Sequence, residues 1–144
     1  MKKIIGTLLL SANILFADIT PNLPSGTPAW ATAEDLYIAY VIMGESEGES
    51  ELGQSFVADV IHQRCVEKNK SPYEVVTEPN QFAGYKEIEP TRHIWKLVRK
   101  LRLGIDIIPE AKFTQFRAYK RSNVPTWAIN PIWIGNHIFF LERK

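Results

Sequence analysis

Apolar positions recur along this chain with a helical period in four places, and the pattern changes character near residue 105. The first run, Leu36–Met43, is too apolar for a surface element and too short to span a membrane, so it predicts a buried helix. Thr32-Ala33-Glu34-Asp35 ahead of it reads as a capping box, with Thr32 accepting from the first turn and Asp35 reaching back. If this helix continues through Gly44, then Ile38, Val41, Ile42 and Glu45 fall at i, i+3, i+4 and i+7. Glu45 then shares the apolar stripe, and Glu47 points roughly the other way.

A second helix opens at Ser50, with Glu51 in its first turn and Gly53, Phe56, Val57, Val60, Ile61 and Arg64 on one face. His62 lies off that stripe and reads as a surface residue, whereas Cys65 follows Ile61 by one turn and reads as core. Ser71-Pro72-Tyr73-Glu74 supplies a cap, a first-turn proline and a capping-box glutamate for a short helix through Val76, stopped at Glu78-Pro79. Pro90-Thr91 starts the fourth, with Ile94, Leu97, Val98 and Leu101 inward and Gly104 at its end. Its other face carries Arg92, Lys96, Arg99, Lys100 and Arg102, read first as a solvated face and second as attraction to an anionic polymer or membrane. Beyond Ile105, Phe113, Phe116 and Tyr119 fall in a loop or short strand, and residues 134–140 read as one strand near the terminus.

The 144 residues suffice for one domain with a real core, and 45% of them are hydrophobic. One cysteine excludes an intrachain disulfide. Met1-Lys2-Lys3 and the apolar run to Ala17 have the layout of an export signal with a cleavage point before Asp18, although Leu15 is large for its place and keeps an uncleaved anchor open. Residues 1–17 are therefore expected to be a signal peptide or signal anchor, making transient membrane contact. Residues 18–32 form an extended arm or linker, with Trp30 pinning its end to the core, and residues 33–144 form the functional domain. Removing Lys2 and Lys3 turns the net charge from +1 to −1, which argues against nucleic acid as a partner.

The candidate chemistry centres on Glu45. A carboxyl at the end of an apolar stripe loses hydration, which favours its protonated form and suits a general acid. Gly44 and Gly48 bracket it without a Cβ, leaving room for backbone bending and for a bulky substrate. The plainer reading of such a glutamate is a cap or an ion-pair member. Arg64, a cation on an apolar face, is expected to pair with Glu45, Glu49 or Glu51. The Asn80-Gln81-Phe82-Ala83-Gly84-Tyr85 loop sets amides beside rings, which suits a carbohydrate; a plain loop packed by Phe82 would look the same. His137 is either a hydrogen-bonded structural group or, with Asn136, an orienting group near the site. His62, His93 and His137 lack close ligand spacing, so no metal is expected, nor any cofactor.

Together these residues resemble the SleB-like cell wall hydrolase family, a spore-cortex-lytic type of peptidoglycan-cleaving domain also found in phage lysins. Gly44-Glu45-Ser46-Glu47-Gly48-Glu49 stands where that family has its GExxGE segment. Gly53-Gln54, Val57-Ala58 and Arg64 match the helix after it, Gln81-Phe82 its QF loop, and residues 134–140 its closing GNHxF strand, while Thr126-Trp127 fits more loosely. The ordered set runs from about Ala39 to Phe140. Glu47 departs from a common arginine, and His62-Gln63 from an apolar-Asn pair.

The resemblance implies an α+β, mainly α, lysozyme-like compact domain with a small antiparallel sheet. It implies cleavage of the MurNAc–GlcNAc bond of peptidoglycan glycan strands, usually as a lytic transglycosylase, with Glu45 as catalytic acid and base. Gln81, Phe82, Tyr85, Thr126, Trp127, Asn136 and His137 are the candidate substrate-binding residues, with Glu49 and Arg64 in support. A muramidase acting on the same bond needs a second carboxylate about 5–9 Å from the first, with Glu49 and Glu51 as candidates. A non-catalytic wall-binding module is the third reading. An exported monomer, either a phage endolysin or a wall-remodelling enzyme of a Gram-negative periplasm, fits the two enzymatic readings.

Overall fold

The computed structural model describes residues 22–118 and 124–142. The signal or anchor over residues 1–17, the start of the arm, and Tyr119 and Asn123 lie outside the described residues. Four helices come first: α1 (Ala33–Glu45), α2 (Glu51–Lys68), α3 (Pro72–Val76) and α4 (Arg92–Leu103). Three strands follow, β1 (Gln115–Ala118), β2 (Ala128–Ile134) and β3 (His137–Glu142), forming an antiparallel sheet in the order β1-β3-β2. The fold is thus α+β and mainly α, and no described helix is long and apolar enough to cross a membrane.

Each helix starts where its cap directs. Thr32 and Asp35 close the capping box at α1, Ser71 and Glu74 that at α3, and the hydroxyls of Ser50 and Thr91 accept from Gly53 and Ile94. Gly104 ends α4 at φ +65, a left-handed conformation that glycine adopts without a Cβ clash.

The helical half packs around one apolar cluster that includes Ile38, Ile42, Ile61, Val75, Ile94 and Val98. The residues before α1 dock on it: Trp30 meets Trp95 edge-on at 5.9 Å between ring centroids, and Arg102 donates to Trp30 O at 2.6 Å. Arg102 also pairs with the buried Asp35 at 2.8 Å, so one cation ties the start of α1 to the end of α4. A second cluster, Phe56, Val57, Val60, Ala111 and Phe139, joins the outer face of α2 to the sheet.

The terminal region differs from the single strand expected over residues 134–140. Gly135-Asn136 is a two-residue turn between β2 and β3, with Gly135 at φ +55, so the segment is a hairpin. β2 also shifts register between Ile129 and Ile132, where Asn130 sits at φ +50 before Pro131. His62, expected at the surface, is buried, with its Nε2 2.9 Å from Asp106 Oδ1. The partner that makes this burial tolerable comes from the loop after α4, 44 residues away.

Candidate active site

Glu45 is the last residue of α1. Ile38, Val41 and Ile42 on the same stripe are buried, and Glu45 emerges half-buried from among them. The helix stops there because Ser46 turns back on Ile42: its N–H and its hydroxyl both donate to Ile42 O, at 3.0 and 2.5 Å. The segment after the QF pair then lies against the helix end. The Gly84 N–H donates to Glu45 Oε1 at 2.6 Å, the Lys86 N–H donates to Tyr40 O at 3.0 Å, and the Lys86 ammonium pairs with the exposed Glu47.

This approach explains Gly44 differently from the sequence expectation. A Cβ on Gly44 would lie 2.2 Å from Tyr85 N, and one on Gly84 would lie 2.5 Å from Glu45 N. The space that two missing side chains create is filled by the protein's own backbone, not left for a substrate. Gly48 serves the turn, at φ +78 with nothing within 4 Å of its Cβ position.

Glu45 lines a groove of about 640 Å³ between the helical half and the sheet. Arg64, Gln81, Trp127 and His137 also line it. Arg64 is 5% exposed and does not pair directly with Glu45, Glu49 or Glu51 as expected. Its Nε donates to Thr114 O at 2.9 Å, and its two terminal nitrogens donate to Gln81 Oε1 at 3.3 Å and Gln115 Oε1 at 3.1 Å. Its carbon lies 4.9 Å from the centre of the Phe82 ring. Burial lowers its pKa from the usual value, and the fields of Glu78 and Glu45 oppose that shift. Among the described residues, neutral amide and carbonyl oxygens meet the guanidinium and no carboxylate contacts it.

Glu49 braces the sheet side. Its side chain is 1% exposed, and one oxygen accepts from the Asn136 N–H at 2.8 Å and lies 3.0 Å from His137 Nδ1. A Cβ on Gly135 would fall 1.6 Å from Glu49 Oε2, so the turn glycine also admits this carboxylate. The loop that follows Glu45 is thereby fastened to the hairpin whose histidine faces the groove.

The remaining site expectations divide. Phe82 lies beneath Arg64 and 6.2 Å from Phe116, a packing position. Asn136 contributes its backbone to Glu49, and Thr126 sits in the turn before β2 next to the groove-lining Trp127. Tyr85 does not line the groove with Glu45. Its ring packs with Tyr37 at 5.0 Å and Tyr40 at 5.6 Å, and its hydroxyl donates to Glu87 at 2.9 Å. The two acidic candidates for a second catalytic carboxylate are also displaced: Glu49 is enclosed, and Glu51 is largely exposed beside His93. Glu67 and Glu142 line the groove instead, together with Gln115 and Arg117. Sequence reasoning missed these because β1 has no strong alternation, and because Glu67 lies on the polar side of α2.

Neither a protein-family model nor a curated protein matches the sequence, but two solved structures are similar to it. The catalytic domain of the germination-specific lytic transglycosylase SleB from Bacillus anthracis superposes with a TM-score of 0.57 at 27% identity, over 78% of this chain and 98% of that one. The chain is SleB-like. The catalytic domain of the Bacillus cereus SleB protein gives a TM-score of 0.56 at 26% identity, over 83% of this chain and 98% of the other. The likeness thus covers about four fifths of this chain and nearly all of each of the two solved domains.

Proposed function

We propose that this SleB-like domain is a peptidoglycan lytic transglycosylase that cleaves the MurNAc–GlcNAc bond with Glu45 as its acid and base. The observation that carries the reading is a half-buried carboxylate on a groove of glycan dimensions, with one oxygen tethered by the Gly84 N–H and the other without a hydrogen-bond partner among the described residues. A protonated Glu45 gives its proton to the glycosidic oxygen as the C1–O bond breaks and an oxocarbenium-like sugar forms. The resulting carboxylate takes the proton from the muramoyl C6 hydroxyl. That oxygen bonds to C1, closing an anhydro ring without water and returning Glu45 to its protonated form.

A hydrolytic outcome on the same bond is the second reading. It is favoured by Glu67 and Glu142 on the groove, either of which would activate water or act as the nucleophile. Digesting purified sacculi and weighing the soluble fragments separates the two, because anhydro products are lighter than reducing ends by one water. Binding to sacculi without release of fragments would instead make the domain a wall-binding module and overturn both. The substrate calls for export to the wall, either as a phage endolysin or as a remodelling enzyme. A reporter fused after residues 1–17 tests that address.

A further inference from the structure

Arg64 dictates which way two groove amides face. A guanidinium carries N–H donors and no acceptor. The two terminal nitrogens of Arg64 each meet a glutamine oxygen, Gln81 Oε1 at 3.3 Å and Gln115 Oε1 at 3.1 Å. Each amide must therefore turn its oxygen inward and its NH2 away. The Gln115 NH2 then donates to Glu142 Oε2 at 3.2 Å. Gln81 is exposed and lines the same groove as Glu45, so its NH2, turned away from Arg64, has no hydrogen-bond partner among the described residues.

The segment that carries Gln81 is itself fixed. Asn80 holds a left-handed conformation at φ +61, the Gln81 N–H donates to Glu78 O at 3.3 Å, and three residues later Gly84 grips Glu45. Arg64 cannot tilt to release the amide, because its Nε is bonded to Thr114 O and the Phe82 ring lies against its face. An outward NH2 is a donor with no acceptor to offer. It favours a carbonyl oxygen and disfavours an ammonium, which only donates.

We infer that Arg64 is a positioning residue that locks the Gln81 amide with its NH2 outward, so that the groove selects glycan bearing an acetamido carbonyl over its de-N-acetylated counterpart. This rests on the glycan-cleaving reading. Two sacculus preparations test it, one native and one with the acetyl groups removed, and the readout is the ratio of their initial rates of fragment release. Gln81→Ala is expected to lower the native rate about tenfold while changing the de-N-acetylated rate little, so the ratio collapses. Gln81→Glu keeps a partner for Arg64 but presents oxygen outward, and the ratio is expected to move further, toward the de-N-acetylated substrate. Arg64→Met frees the amide to rotate and is expected to lower the ratio as Gln81→Ala does.

Equal ratios for the wild-type and both Gln81 variants would overturn the inference even if Arg64→Met fails to fold, because Gln81 is an exposed residue. If wild-type protein releases fragments from neither preparation, the glycan-cleaving reading fails and this inference with it. Release by wild-type with an unmoved ratio sinks this inference alone.

Discussion

The two walls of the groove are held in place by different means. The helical wall, with Glu45, rests on backbone contact: a capped helix end, two glycines face to face, and a main-chain N–H on the carboxylate, while its Gln81 amide is held by the Arg64 side chain. The sheet wall, with Gln115, Trp127, His137 and Glu142, is tied to the helices through side chains. Glu49 reaches the hairpin turn, Arg64 reaches β1, and Asp59 reaches the loop before β1. Backbone contact fixes position irrespective of charge. A side-chain tether can be cut by one substitution or one proton. The acid of the proposed reaction sits on the wall of the first kind.

Four measurements bear on this contrast. The largest effect is expected from Glu45→Gln, which keeps the shape and the bond from Gly84 but cannot give and retake a proton. Fragment release from sacculi should fall by about a thousandfold or more with the melting temperature nearly unchanged. Retained release would move the chemistry to the other wall, to Glu142.

Gly44→Ala comes next and attacks the helical wall itself. Its new carbon would lie 2.2 Å from Tyr85 N, backbone that cannot swing aside, and a loss of about 3 kcal/mol in chemical denaturation is expected. An unchanged midpoint would show that the two main chains are not in contact in solution.

The third concerns the joint between the halves. Asp59 is fully buried in α2, accepts from the Ile108 N–H at 3.4 Å, and has its second oxygen without a hydrogen-bond partner among the described residues. Burial raises its pKa from 3.8 to about 6, outweighing the lowering by Ile108, Gln63 and His62. The folded state thus holds this proton more tightly than the unfolded chain does. The resulting stabilisation is complete below about pH 4 and is lost as pH rises through about 6, a difference of about 3 kcal/mol. Unfolding of wild-type and Asp59→Asn across that range should show a slope in the first that is reduced in the second; parallel curves would remove Asp59 from the account.

Glu49→Ala is expected to have the smallest effect on stability, about 2 kcal/mol, by leaving the Asn136 N–H and the His137 ring without their acceptor. Hydrogen exchange should quicken in the β2–β3 turn and hold steady in α1. Equal loosening of both would erase the distinction between the walls.

The same contrast governs what could be read from the sequence. The four helices and their caps were legible, because Thr32, Ser50, Ser71, Thr91 and Gly104 act on residues within one turn of themselves. Glu45 on its stripe was legible for the same reason, and Gln81, Trp127 and His137 line the groove with it. The partners of Arg64 were not, since its acceptors lie 17, 50 and 51 residues away and are not charged. His62 was misplaced because helical periodicity carries no information about a loop aspartate 44 positions on. The hairpin was missed although Gly-Asn between apolar runs is a turn signal, because the kink at Asn130-Pro131 disguises β2 as a loop.

Gly44 and Gly84 face one another, each occupying the place where the other's side chain would begin. Neither position has anything left to give up, so enlarging one cannot be offset by shrinking its neighbour. In a library that randomises both positions together, no compensated pair should emerge, and the spacing between the acid and the segment that grips it would be among the least adjustable dimensions of the molecule.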